Sequence, residues 1–200
     1  EIHERLVGSE MCIRDRFPTK YYPNILKLVN KYKTDYSVIG LNFNQENGGL
    51  DEIIEAPYWI TSGNFVNISD FMSVGGFMNE LFIDYVDFEL GYKFKKNGFK
   101  ICYLKDFSLK HTIGNPIEIH LFGKTYHAMN HSPIRYYYRY RNAYYLYHFV
   151  DRQFFKKEYY KEMIVNTLKM LIYEKNQKVK FSMIRKGIQD AKCKKMGKFN

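Results

Sequence analysis

Three cysteines in 200 residues, Cys12, Cys102 and Cys193, are few, odd in number and far apart. That excludes a closed disulfide framework and a zinc site of the usual close spacing, and makes a reducing compartment the expected setting. No apolar run approaches the roughly eighteen residues that a membrane-spanning helix needs. No charged stretch followed by an apolar one and a small-residue cleavage site opens the chain, so no secretory leader is expected. No internal repeat is visible. Disorder is excluded for the opposite reason: 46% of the residues are hydrophobic and 18% aromatic, enough for a real core.

Charge is present but unevenly placed. The formal net charge is +10, yet residues 151–200 hold 14 Lys and Arg against 5 Asp and Glu, which leaves residues 1–150 nearly neutral. An anionic partner, if there is one, meets the tail. At the other end, Leu6–Asp15 (LVGSEMCIRD) resembles one reading frame of a transposase-type sequencing-library adapter. Residues 1–16 are therefore expected to be non-native, Met11 and Cys12 with them, and the natural sequence is expected to begin at Phe17.

From there the pattern alternates between strand and helix. Pro23 opens a helix to about Tyr32, with Ile25, Leu26 and Val29 at helical spacing. Tyr36–Leu41 is a short buried strand, and Asn44–Gly49 a loop. Trp59–Ile60 and Phe65–Ile68 read as strands on either side of a Thr61-Ser62-Gly63 turn. Asp70–Val74 is a short helix stopped by Gly75-Gly76. Val86–Lys96 is a helix ended by Asn97-Gly98. Lys100–Leu104 and Phe107–Lys110 follow as two strands, and residues 112–130 as irregular chain. Pro133 starts a long aromatic helix. Two amphipathic helices close the chain, one striped by Tyr160, Ile164, Leu168 and Leu171, the other by Phe181, Ile184, Ile188 and Ala191. Gly187 in the last helix costs about 1 kcal/mol relative to Ala. The fold class is α/β with an α-helical extension.

The chemistry concentrates between Trp59 and Asn142. Asp84, Asp87 and Glu89 stand among Phe82, Ile83, Val86 and Leu90, and carboxylates among apolar neighbours are costly unless paired, metal-bound or reactive. On a helix, Asp84 and Asp87 share a face and suit general-base work, while Glu89 points away. The same two residues would also cap a helix N-terminus. Thr61, Ser62 and Gly63 offer hydroxyls and close backbone approach. Arg135, Arg139 and Asn142 form one helical stripe, with Arg141 off it. With His131 and Ser132 ahead of Pro133, that stripe could clamp a diphosphate, or could equally be the solvated face of a packing helix.

In this order and spacing, ITSGNFV (60–66), VGGF (74–77), LFIDYVDFEL (81–90), LKH (109–111) and HSPIRYYYRYRN (131–142) resemble the acceptor half of an inverting family 2 glycosyltransferase of GT-A type, in its rhamnosyltransferase-like branch. The resemblance implies Asp87 as the general base that takes the proton of an acceptor hydroxyl. Val86 departs from the acid that many members carry there. It further implies Trp59, Thr61, Ser62, Gly63, Asp84 and Glu89 around the sugar, and His131, Ser132, Arg135 and Arg139 on the diphosphate. His111 would be a ligand to Mg²⁺ or Mn²⁺. The donor would be a nucleotide-diphospho-sugar, dTDP-rhamnose-like in kind, and the acceptor a cell-surface or lipid-linked glycan. On this view residues 17–130 are the acceptor half of a GT-A domain that lacks its nucleotide-binding N-terminal half. Residues 131–200 are a helical extension, basic from 151. The chain alone is then expected to be inactive and poorly soluble, and its setting cytoplasmic, at or near the inner face of the plasma membrane.

The tail leaves three readings open. The Lys-rich face of the last helix (Lys178, Arg185, Lys186, Lys192) fits anionic phospholipid, a nucleic acid, or plain solvation of helices packed on the body. Nucleic acid is the less favoured partner. The rival to the enzyme as a whole is a basic membrane-surface or nucleic-acid-binding module without catalysis.

Overall fold

The computed structural model describes residues 21–42, 52–56, 63–108, 117–121 and 124–199. They divide into two compact units, the first drawn from residues 1–78 and 87–112, the second from 79–86 and 113–200. Both mix helix and strand. The segment 79–86 and the chain from 113 onward thus belong with the C-terminal helices.

The first unit is a four-stranded mixed sheet between helices. Its strands are β1 (Val38–Asn42), β2 (Ile53–Glu55), β3 (Asn64–Val66) and β4 (Ile101–Ser108), in the order β2-β4-β1-β3. The central pair β1 and β4 is parallel, with Val38 opposite Ile101, and both edge strands run antiparallel to it. Two strands were expected across residues 100–110, but β4 runs unbroken through Lys105 and Asp106. Its pairing with β1 shifts register between Leu41 and Asn42, so the polar pair falls at an irregularity in the ladder, with no break in the strand.

Side-chain alternation gives the sheet two apolar faces. Ile39, Leu41, Cys102 and Leu104 pack under α1 (Tyr22–Tyr32), which meets them with Ile25, Leu28, Val29 and Tyr32. That is one helical face. Leu26, expected on it, is instead exposed. Cys102 is fully buried, which pushes its thiol up to about 12 and leaves it inert. On the opposite face, Val38 and Ile101 meet Leu90 and Phe94 of α3 (Val86–Lys96), with Phe71 and Val74 beside them. Phe71 belongs to α2 (Ile68–Ser73), capped by the Asn67 side chain, which accepts from the Asp70 amide at 3.3 Å. Ile68, expected as the end of a strand, is in this helix because the Asn67 cap starts it there.

α3 has the bounds read from the sequence. Asp87 and Glu89 lie in its first turn and Lys93, Lys95 and Lys96 in its last, as the helix dipole favours. It ends at Gly98, whose φ of +78° is costly for residues with a Cβ, while the Phe99 amide returns to the Phe94 carbonyl.

The second unit contains a hairpin, β5 (Ile117–Leu121) with β6 (Lys124–Ala128), where irregular chain was expected. Only Ile119 and Ala128 of it are buried among the described side chains, so its apolar signal is thin. Then come α4 (Pro133–Tyr145) and a π-helical turn (Leu146–Val150). Next is a helix built of α5 (Lys156–Tyr160), a π segment (Lys161–Asn166) and α6 (Thr167–Tyr173), and last α7 (Gln177–Lys192). The core joins Tyr136 and Tyr140 of α4 to Met170 and Ile184. Gly187 is what lets α7 close on α4. A Cβ there would stand 2.4 Å from the Tyr137 carbonyl oxygen, so this glycine serves backbone approach and is no mere weak point of the helix.

The stripe Tyr160, Ile164, Leu168 and Leu171, expected to pack inward, faces outward instead. The inward positions of that helix hold Glu162, Met163 and Met170, followed by Glu174. The buried carboxylates find cations inside the unit, which is what turns the apolar row out. Phe181, expected on the inner stripe of α7, is also exposed.

Candidate functional site

In the first unit the parallel strands set the geometry. Ligands of α/β sheets bind beyond the carboxyl ends of the strands. At that end β1 leads into residues 43–51 and β4 into residues 109–116, which hold His111. The Gly63 carbonyl accepts from the Leu41 amide at 3.0 Å, so the residue that follows Thr61 and Ser62 is fixed at the carboxyl end of β1. Trp59, Thr61, Ser62 and His111 themselves lie outside the described residues. α3 joins β4 through the short Asn97–Lys100 turn and packs back along the sheet, which carries its first turn and Asp87 toward the same end.

On the α3 face the row beyond Val38 and Ile101 is Gly40 and Tyr103, with Asn64 opposite Gly40 on β3. A Cβ on Gly40 would meet Asn64 Oδ1 at 2.2 Å and the Tyr103 ring at 2.6 Å. Gly40 therefore makes room for an amide and a phenol over the sheet, a polar row that reading the sequence missed. The signal available was a lone glycine inside an apolar strand, which marks close approach. Asp87 is half-buried in the first turn of α3. Glu89 is buried and bridged to Lys93 at 3.0 Å, one turn on, so its charge is balanced within the helix.

Asp84 is elsewhere. It was expected to share a helical face with Asp87, but α3 begins only at Val86, and Asp84 belongs to the second unit with φ of +60°. Phe82 and Tyr85 are left-handed too, at +62° and +66°. Three non-glycine residues in that region within four positions are strained, and such backbone persists only where the surroundings fix it. Here α4 fixes it. Asn142 Nδ2 lies 2.8–2.9 Å from the carbonyl oxygens of Leu81, Ile83 and Asp84. Arg141, fully buried, donates to the carbonyls of Leu81 at 2.9 Å and Glu80 at 3.2 Å and to that of Gly197 at 2.6 Å. The rings of Tyr137 and Tyr138 flank it at 5.3 and 4.9 Å.

The two stripe arginines face carboxylates. Arg135 donates to Asp84 from Nε and Nη2 at 3.0–3.2 Å. Arg139 reaches Asp84 at 4.0 Å and bonds Glu162. Burial works against the Arg139 charge, but Glu162 and Asp84 outweigh it and hold its pKa above the ordinary value. Both guanidinium groups are thus paired with carboxylates of the protein and do not form the solvated face that was the alternative above. A diphosphate would have to displace Asp84 or Glu162 to be clamped by them. His131 is buried beside them, and desolvation, then Arg135 and Arg139, lower it to about 4, so it is a neutral ring at pH 7. Ser132 is the N-cap residue of α4, with no side-chain cap bond.

Behind this cluster, Glu174 accepts from Lys180 at 2.7 Å, from the Tyr136 hydroxyl at 2.8 Å and from the Asn130 amide at 2.9 Å. Burial alone would raise the Glu174 carboxyl, but these bonds hold it below the usual range. A pocket lined by His131, Tyr136, Arg139, Glu162 and Glu174 has only about 10 Å³ of free space, room for a water molecule and far too little for a sugar. Glu162, Glu174 and Lys180 escaped the sequence reading because each looks like a surface charge until the helix is seen to face inward. Among the described residues no group of three His, Cys, Asp or Glu side chains could hold a metal ion. His111, which the resemblance implies as a metal ligand, lies outside the described residues.

These features, a carboxylate at the carboxyl edge of a mixed sheet and an acidic segment gripped by arginines, can be set beside known proteins. The chain has a sequence relationship to a glycosyltransferase. The relative is the dTDP-rhamnosyl transferase RfbF of Shigella flexneri, 38% identical over 87 residues, a match covering 44% of this chain and 28% of that protein. The chain thus matches little more than a quarter of the relative's length. No protein-family profile matches the chain, and no solved structure does.

Proposed function

We propose that the chain is part of an inverting glycosyltransferase of family 2 and GT-A type, which moves a sugar, rhamnose or one like it, from a nucleotide-diphospho-sugar to a glycan acceptor. The identity with a dTDP-rhamnosyl transferase carries this reading. The position of Asp87, half-buried in the first turn of α3 toward the carboxyl edge of the sheet, supports it.

In the reaction the acceptor hydroxyl attacks the anomeric carbon from the face opposite the diphosphate. Its proton passes to the Asp87 carboxylate as the new C–O bond forms and the bond to the phosphate oxygen breaks, which inverts the anomeric centre. Gly63, Thr61 and Ser62 would line the acceptor side with Trp59, and the Asn64 and Tyr103 side chains above Gly40 add hydrogen-bonding groups to that wall. Glu89, already bridged to Lys93, steadies α3 without touching the sugar. No step is routed through a metal.

The test is transfer from dTDP-rhamnose, with other nucleotide sugars as controls, by a full-length protein that contains these residues. Release of dTDP coupled to a glycosylated acceptor of inverted configuration is the expected result. Hydrolysis without transfer, retention of configuration, or no turnover of any nucleotide sugar would overturn the proposal.

A further inference from the structure

The helix from Lys156 to Tyr173 is amphipathic the wrong way round for a helix that ends its interactions inside the unit. Its inner side holds Glu162 and Met170, with Glu174 just beyond. Its outer side shows Ile164, Val165, Leu168, Leu171 and Ile172, with Leu168 53% and Ile172 64% exposed. Five aliphatic side chains in a row on one exposed face are more than scattered surface residues. The row runs along the C-terminal half of the helix, so anything that covers it lies flat against it.

The edge of the row shows what covers it. Lys157 and Lys161 stand exposed before it and Lys175 after it. Among the described residues, Lys161 is the one of the three in an ion pair, with Glu158 at 3.8 Å, and that carboxylate is itself mostly covered. Tyr160 and Tyr173 mark the two ends, each with about two-fifths of its surface open. With the helix lying flat, the aliphatic row enters the acyl boundary while the lysines beside its two ends reach up on long flexible stems to anionic headgroups, and the phenols of Tyr160 and Tyr173 sit at that boundary. A second copy of the chain fits poorly. Two such faces packed antiparallel would bring the lysines of one end against those of the other, and protein interfaces are depleted in lysine.

We propose that this face is a docking surface for an anionic phospholipid bilayer, on which the Lys156–Tyr173 helix lies in the plane of the interface. The proposal concerns the second unit alone and holds whether or not the chain belongs to a sugar transferase. On α7, Lys186 pairs with Asp190 at 2.9 Å, while Lys178, Arg185 and Lys192 of the face expected to meet lipid stay exposed, so the aliphatic row is a further contact beside that charge. Among the described residues no helix is long and apolar enough to cross a membrane, so the contact is peripheral.

The experiment is co-sedimentation of the 200-residue protein with vesicles of phosphatidylcholine alone or mixed about 3:1 with phosphatidylglycerol. Binding to the anionic vesicles at least about tenfold above the neutral ones is expected, since each lysine near such a surface contributes about fivefold. Leu168→Ser with Ile172→Ser should lower binding about tenfold or more, with an unchanged circular dichroism spectrum because both positions are exposed. Lys157→Gln, Lys161→Gln and Lys175→Gln together should lower it on the order of 100-fold, and added salt should mimic that loss. Equal binding to neutral and anionic vesicles, or binding untouched by both variants, would overturn the proposal. So would a dimer that the serine variant dissociates while neither form binds vesicles.

Discussion

The two units solve the same problem, a small core, with opposite materials. The sheet unit buries aliphatic residues on both faces and keeps its charges at the rim, where Lys31 meets Glu52 at 2.5 Å and the Tyr36 hydroxyl meets Glu55 at 2.8 Å. Its buried polar side chains among the described residues are those of Ser37 and Glu89. The helical unit buries Arg141, Asn142, Glu162, Glu174, Lys180 and Asp190 and sends a row of aliphatic residues outward. Apolar burial is non-directional, so the sheet unit can tolerate variation. Buried ion pairs are worth little net stability but are costly to break, and they fix one arrangement of their partners. Here that arrangement holds the Phe82–Tyr85 segment, in which Phe82, Asp84 and Tyr85 are left-handed.

Single substitutions should therefore cost more in the helical unit than their counterparts in the sheet unit. Lys180→Met, which strands Glu174 in the interior, should destabilise by about 4 kcal/mol in urea unfolding. A loss under 1 kcal/mol would mean that the pair is not truly buried. Asn142→Ala removes the donor shared by three carbonyls of strained backbone and should cost about 3 kcal/mol. It should also raise amide exchange across residues 81–85, and unchanged exchange would show that the segment holds itself.

Acidification should separate the units as well. The folded protein keeps His131 neutral down to about 4, against 6.5 when it is free, so between these values the unfolded chain binds more protons. Stability should fall as pH drops from 6.5 toward 4, by about 2 kcal/mol from this group, and His131→Phe should flatten that part of the profile. The smallest effect belongs to Gly187→Ala. Better helix propensity returns about 1 kcal/mol, but a Cβ pressed on the Tyr137 carbonyl costs about 2–3, so a net loss of about 1–2 kcal/mol is expected. A melting temperature that rises would contradict the close crossing of α4 and α7.

How legible each unit was follows from the same contrast. β1, α1 and α3 could be read because apolar periodicity and the Pro23 and Asn97-Gly98 signals act locally. α4 could be read from Pro133 for the same reason. The β5–β6 hairpin could not, since its alternation of Ile117, Ile119 and Leu121 with Glu118 and His120 covers few buried residues. The outward turn of Ile164 and Leu168 was illegible in principle. Hydrophobic spacing says that a face exists, while the partners of Glu162 and Glu174 decide which way it points. At the site, the place of Asp87 in the first turn of a helix had local signal, while the grip of Arg141 and Asn142 on the carbonyls of residues 80–84 had none. The parting of Asp84 from Asp87 had none, because left-handed Phe82, Asp84 and Tyr85 are imposed by contacts more than fifty residues away.

Asp87 is the residue on which the proposed chemistry rests. Transfer by a full-length protein containing this chain should be compared for the wild type and Asp87→Asn, with thermal unfolding and donor binding measured on both. The account predicts a fall in kcat on the order of 10³-fold, with donor affinity and melting temperature essentially retained. A near-normal rate in Asp87→Asn would contradict it.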